Sequence, residues 1–234
     1  MITFQKYIKA QSLDEAYELN KARKNRIIGG MMWLRTGSGS INTAIDISGL
    51  GLDTIEEDDD EFRIGAMVSL RSIEKHEGLN SYSNNAVQAA VKDIVGVQFR
   101  NMATVGGSIW GRFGFSDVLT LFLAMDSYVE LHGAGIVPLS EFVNMKRDDD
   151  ILVRLIVKKT PINIAYSAVR AQRTDFPVLA CAVSNIDGKY SAVIGARPAK
   201  AKLVVDEEKI MANGVTQDSA KLFADYVASN TPTG

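Results

Sequence analysis

The chain has 234 residues, 46% hydrophobic and 23% charged, with a formal net charge of −2, which is the composition of a globular protein with length for one large or two smaller domains. That charge excludes a broad basic field for nucleic acid or anionic lipid, and the longest uncharged apolar run, Val118 to Met125, is far too short to span a bilayer. One cysteine, Cys181, and two histidines, His76 and His132, exclude a disulfide framework, an iron–sulfur cluster and a cysteine-ligated zinc, and leave little for a His-based metal site or a Ser-His-Asp triad.

Redox or group-transfer chemistry is therefore expected from a bound organic cofactor. The N-terminal stretch MITFQKYIKAQSLDEAYE has neither the apolar core nor the cleavage site of a signal peptide. With the lone cysteine, this points to a cytoplasmic protein.

Ser12-Leu13-Asp14-Glu15 fits a capping box and predicts a helix to about Lys24. Arg26-Ile27-Ile28 predicts a short strand ending at Gly29-Gly30, and Ala44 to Ile47 a second. The acidic run Glu56 to Glu61 reads as a solvated hairpin tip ahead of a strand at Phe62 to Ala66. Helices are expected from Ser69 to about His76, from Ser81 to about Val95 and from Asp117 to Met125, the last capped by Ser116 or Asp117. Strands return at Tyr128–Leu131 and Ile151–Val157, and Thr160-Pro161 marks a boundary. Beyond it, Ile164–Ala171, Leu179–Ser184 and Tyr190–Gly195 form an antiparallel set, with Asp187-Gly188 as a hairpin turn, before a helix at Gln217–Ser229. The expectation is an α+β protein with two lobes, 1–160 (about 1–52 and 53–160) and 161–234.

Two standard phosphate-binding patterns fail. No G-x-x-x-x-G-K-[ST] string occurs, and Gly37-Ser38-Gly39-Ser40-Ile41-Asn42 lacks the third glycine of the dinucleotide fingerprint and its helix. A pair of Gly-Gly steps remains, after Ile28 and after Val105. Each is either a plain tight turn or a turn whose N–H groups converge on a phosphate oxygen. Around the second, Thr104 and Ser108 add hydroxyls, and Asp117 is either a helix cap or an acceptor for a ligand.

The stretch QFRNMATVGGSIWGRFGFSDVLTLFLAMDSYVEL resembles the second flavin segment of the FAD-binding subunits of molybdenum hydroxylases, the xanthine dehydrogenase and carbon monoxide dehydrogenase group. Their pattern is roughly Q-x-R-N-x-A-[TS]-[LIV]-G-G-[NS]-I, then S-D-L. Its anchors stand at Gln98, Arg100, Asn101, Ala103, Thr104, Gly106, Gly107, Ser108, Ile109, Ser116 and Asp117. RIIGGMMWLR resembles the first flavin loop, GIVPLSEFV the V-P-L-x-[ED]-F segment, and AYSAVRAQRTDFPVLACAVS the start of the C-terminal domain.

The resemblance implies the FAD-binding fold of vanillyl-alcohol oxidase-type (PCMH) flavoproteins, followed by a small α/β domain with an antiparallel sheet. It implies that Ile27, Ile28, Gly29, Gly30, Met31, Met32 and Trp33 wrap the FAD pyrophosphate and its neighbours. Thr104, Val105, Gly106, Gly107 and Ser108 would form the second pyrophosphate loop, with Asp117 a polar anchor. Ile94 and Leu152 would be apolar contacts, and Arg170 would lie near the flavin ring. It implies non-covalent FAD, a molybdopterin-binding large subunit, a [2Fe–2S] small subunit, and electron delivery to NAD or another acceptor. An independent flavin oxidase and a scaffold that has lost FAD are the alternatives.

Two departures stand out. The first loop has Met31-Met32 where relatives often carry a Thr or Asn with an acid, so these residues and Trp33 either pack on the cofactor or line the core. Trp110, Arg112, Phe113 and Phe115, with Gly111 and Gly114, replace the usual small residues and proline. The chain also ends at TPTG where relatives continue, so truncation or processing is expected.

Overall fold

A computed structural model describes residues 1–231. The Pro232–Gly234 end of the chain, on which the expected truncation falls, lies outside the described residues.

The chain opens with β1 (Ile2–Lys9), α1 (Leu13–Asn20), β2 (Arg26–Ile28) and β3 (Gly39–Asp46). The three strands form a parallel sheet in the order β1-β3-β2. Ser12 starts α1 by accepting the Glu15 N–H at 3.1 Å, while the Glu15 carboxylate accepts the Gln11 N–H at 2.7 Å. The helix stops four residues short of the expected Lys24. Lys24 turns left-handed, with φ 66°, and the Asn25 amide caps the Leu19 carbonyl at 2.7 Å. Strand β1 escapes the sequence reading because Phe4 and Tyr7 are both exposed, so it carries no buried-face alternation. Ala16, Ile45 and Leu52 close the core of this lobe together with Ile151 and Val153, which arrive from a hundred residues later.

The acidic run is the tip of a hairpin between β4 (Ile55–Glu57) and β5 (Glu61–Gly65). Asp58 accepts the N–H groups of Asp60 and Glu61 at 2.9 and 2.8 Å, and Arg63, Lys158 and Lys159 pair with its carboxylates. Helices α2 (Leu70–Lys75), α3 (Glu77–Tyr82), α4 (Ala86–Val91), α5 (Val97–Met102), α6 (Val105–Trp110) and α7 (Asp117–Leu123) follow. The single helix expected over Ser81–Val95 is instead α3 and α4. Asn84 and Asn85 break it with φ 49° and 63°, a left-handed conformation that asparagine tolerates. Both ends of the break are pinned by Asn80, which donates to the His76 carbonyl at 2.9 Å and accepts the Gln88 N–H at 2.9 Å.

Next come β6 (Ser127–Leu131), β7 (Gly135–Pro138), α8 (Leu139–Phe142) and β8 (Leu152–Lys158). They complete an antiparallel sheet in the order β4-β5-β8-β6-β7. Phe62, Phe122 and Phe142 are fully buried between this sheet and the helices, each stabilising the fold by about 1.5–3 kcal/mol.

A second antiparallel sheet, ordered β12-β11-β10-β9, follows from β9 (Ile162–Val169), β10 (Leu179–Ile186), β11 (Lys189–Gly195) and β12 (Lys202–Val205). Asp187-Gly188 forms the expected two-residue turn, with φ 48° and 83°. One face of this sheet packs on α4 and α7. The other receives Phe223 and Val227 of α9 (Gln217–Ser229).

Candidate cofactor cleft

A cleft of about 1090 Å³ opens where the loop after β2 faces α6 and the start of α7, larger than the usual pocket of a drug-sized ligand. The two Gly-Gly steps lie side by side in it. A Cβ on Gly29 would sit 3.1 Å from Thr104 Oγ1, and one on Gly30 would overlap the Met102 carbonyl.

The two steps differ in what their backbone does. In the first, Met31 is left-handed (φ 61°), and the chain makes a tight turn, with Arg35 N–H bonding to Met31 O at 3.0 Å. The N–H groups of Gly30, Met31, Met32 and Trp33 have no acceptor among the described residues. A run of outward N–H groups is an anion-binding concavity.

The second step is not the open turn expected but the first turn of α6. Val105 N–H bonds to Val68 O at 2.9 Å and Gly106 N–H to Ala66 O at 2.9 Å. Gly107 N–H bonds to the capping Thr104 Oγ1 at 3.1 Å. These donors already have protein partners, unlike those of the first step. Glycine is required at 106 for a different reason: a Cβ there would lie 2.7 Å from both Ala66 Cβ and Ala66 O. Thr104, Gly106, Gly107 and Ser108 all line the cleft, and two of them, Thr104 and Ser108, carry hydroxyls.

Asp117, the first residue of α7, is buried and lines the cleft. Its Oδ1 accepts the Tyr166 hydroxyl and Arg170 Nη2, the latter at 2.5 Å. Arg170 also donates to Asp175 O at 2.6 Å, and its side chain is only 9% exposed. Burial raises the Asp117 carboxyl above its ordinary value, and outweighs Tyr166 and Arg170, which pull it down. Burial, then the Asp117 charge, pushes the Tyr166 hydroxyl far up, so it remains a donor.

Every other residue implied by the resemblance lines the cleft except two. Val105 is wholly in the core, and Ile28 is not at the cleft wall. Met31 and Met32 are half-buried, and Met32 both faces the cleft and packs on the core.

The sequence reading missed Phe176 and the Arg147–Asp149 segment, which also line the cleft. Phe176 lies between the β9 and β10 ends yet meets Trp33 at 5.7 Å and Phe115 at 4.9 Å between ring centroids. Phe113 stacks on Phe115 at 5.1 Å. Three separate chain segments thus build one aromatic wall at the cleft. The signal available was the unusual Phe113 and Phe115, but nothing in sequence linked them to Phe176. Arg112 turns instead to the core, its guanidinium 3.8 Å from the Phe142 ring centroid and its Nε bonded to Phe142 O at 2.9 Å. Gly114 admits the backbone of a later loop, since a Cβ would lie 2.5 Å from Pro198 O.

The motif residues outside the cleft are accounted for differently. Arg100 is buried and bonds to Glu74 through Nε at 2.7 Å and to Ile94 O through Nη1 at 3.0 Å, tying α5 to α2. Gln98 and Asn101 are exposed. Among the described residues no helix is long and apolar enough to cross a membrane.

The family model described as the FAD binding domain in molybdopterin dehydrogenase matches residues 2–160, and the chain belongs to this family, whose cofactor is FAD. Uncharacterized protein YgfM of Escherichia coli K12 is 24% identical over 219 residues, covering 88% of this chain and 79% of YgfM. Carbon monoxide dehydrogenase from Hydrogenophaga pseudoflava superimposes with a TM-score of 0.83 at 21% identity, over 98% of this chain and 88% of that one. Reconstituted CO dehydrogenase from Oligotropha carboxidovorans gives 0.85 at 18%, over 99% and 88%. The fold is the PCMH-type FAD-binding fold with its small C-terminal α/β lobe.

The cleft suits FAD on its own terms. It has the volume for a dinucleotide, a run of free N–H donors for a pyrophosphate, and hydroxyls and a carboxylate for sugar hydroxyls. Ile94 and Leu152 supply apolar surface for a ring.

Proposed function

We propose that this chain is the flavoprotein subunit of a heteromeric molybdenum hydroxylase-type dehydrogenase. It takes electrons from a [2Fe–2S] subunit, fed by a molybdopterin-binding subunit, and passes them through FAD to NAD or another acceptor, in the manner of xanthine dehydrogenase. Bound FAD supplies the capacity to accept two electrons and release them singly or together. The chain's own residues bind and orient it.

The observation that carries this reading is the run of unpaired N–H groups at Gly30–Trp33, in a loop that lines a dinucleotide-sized cleft. These donors hold the pyrophosphate, with Thr104 and Ser108 adding hydroxyl contacts. Asp117 Oδ2, the oxygen that Tyr166 and Arg170 do not use, accepts a ribityl hydroxyl. Ile94 and Leu152 pack on the ring systems, and Arg170 stands beside the flavin ring. The FAD is non-covalent. Residues 1–160 form the FAD-binding domain and 161–234 a second one. The single free thiol, Cys181, favours a cytoplasmic setting.

Reconstitution of the full chain with FAD tests this. The expected result is a yellow protein with saturable FAD binding, which releases intact FAD on denaturation and co-purifies with iron–sulfur and molybdenum subunits. A folded protein that remains colourless and indifferent to FAD overturns the reading in favour of a scaffold. Substrate turnover by the isolated chain overturns it in favour of an independent oxidase.

A further inference from the structure

Tyr166 and Arg170 are four residues apart on β9 and its extension, so the two-residue strand period aims both at the same face. That face meets the N-terminus of α7, where both donate to a single oxygen, Asp117 Oδ1. The three side chains differ in access. Asp117 and Arg170 line the cleft, whereas Tyr166 lies behind them and does not. Arg170 is further fixed by its bond to Asp175 O at 2.6 Å.

Among the described residues no carboxylate other than Asp117 forms an ion pair with Arg170, although Arg26, Arg147, Asp148, Asp149, Asp150 and Asp175 also line the cleft. Of the elements packed on α7, α4 and α6 have no ionisable side chain, α8 has Glu141, which is exposed, and β11 has Lys189, also exposed, and Tyr190. Strand β10 contributes Cys181, which lies beside Tyr166. Asp117 is therefore the one carboxylate, among the described residues, bonded directly to the charge that Arg170 presents to the cleft.

We propose that Tyr166 is a positioning residue for the redox end of the site. Its hydroxyl holds Asp117 as the ionised counter-ion of Arg170, and so limits the positive charge that reaches the flavin. The inference rests on the FAD reading above. An unbalanced guanidinium next to the flavin favours the negative charge that reduction adds. The hydroxyl, a permanent donor, favours the carboxylate form of Asp117. Removing it makes Asp117 easier to protonate, and Arg170 is then uncovered as pH falls.

The test measures the midpoint potential and Kd of FAD bound to the full chain across a pH series. In Tyr166→Phe, the potential is expected to match wild type at alkaline pH and to become progressively more positive than wild type as pH falls. In Asp117→Asn, it is expected to be more positive than wild type at neutral pH, with no such divergence. Coincidence of the Tyr166→Phe and wild-type potentials at every pH overturns the proposal, even if FAD affinity drops, because a purely structural role moves Kd alone. If Tyr166→Phe does not fold, Asp117→Asn decides: a potential equal to wild type overturns the counter-ion role. A wild-type chain that binds no FAD overturns the cofactor reading, and this inference with it. FAD bound with unchanged potentials overturns only the inference.

Discussion

Gly29-Gly30 and Gly106-Gly107 are the same dipeptide, set side by side in one cleft, with opposite backbone roles. The first leaves its donors without a protein acceptor, in a cleft-lining loop whose middle residue, Met31, is left-handed. The second spends its donors on Ala66 and Thr104, and its lack of side chain lets α6 press against the end of β5. The lesson is that a glycine pair reports a close approach of backbone, but not what approaches. At Gly30 and Gly106 it is protein in both cases, and only the first step keeps free donors for a ligand.

Three substitutions would break or sharpen that contrast. The largest effect is expected beside the second step, at Arg100. Arg100→Met leaves Glu74 buried with only Arg71, and should cost about 3–5 kcal/mol of stability in denaturant unfolding. The pair also sets a pH limb. Burial raises the Glu74 carboxyl, but hydrogen bonds from Arg100 and Arg71 outweigh it, so it lies below its ordinary value of 4.5. A lowered carboxyl stabilises the fold above that ordinary value, and the contribution disappears as pH falls through the folded-state value. Wild-type stability should therefore fall on acidification below pH 4.5, and Arg100→Met should flatten that limb.

The middle effect is on binding. Gly30→Ala drives a Cβ into Met102 O and displaces the donor loop. Titration of the folded fraction should show FAD affinity reduced about 100-fold, or about 2.8 kcal/mol, together with a lower melting temperature of the FAD-free protein. The smallest is Gly106→Ala, an overpacking expected to cost about 1–3 kcal/mol, or about 2–4 °C of melting temperature per kcal/mol. FAD affinity in the folded fraction should stay within a few-fold. If Gly106→Ala proves the stronger FAD-binding defect, the assignment of donors to the first loop is wrong.

Elements with local causes were legible in sequence. Ser12, Ser69 and Ser116 each cap the helix expected of them, and Asp187-Gly188 turns the expected hairpin. What failed depended on partners far along the chain. The sequence predicts no helix over Val97–Met102 or Val105–Trp110, and tertiary contacts with Ala66 and Val68 hold the second as helix. The Asn84-Asn85 break needed Asn80 to be seen in place. At the cleft, residues carried by the matched motif could be located, whereas Phe176 and Arg147 reach it from segments that only folding brings together. Arg100 and Ile109 belong to the same motif but support the cleft from the core.

The aromatic wall makes the protein its own optical gauge. Trp33 is one of only two tryptophans and stands half-exposed among Phe113, Phe115 and Phe176, at the rim of the cleft. Indole emission overlaps flavin absorption, so light absorbed at Trp33 drains to any flavin lodged beside it. The other, Trp110, also lines the cleft but packs against Phe142. The brightness of Trp33 would thereby report how full the cleft is.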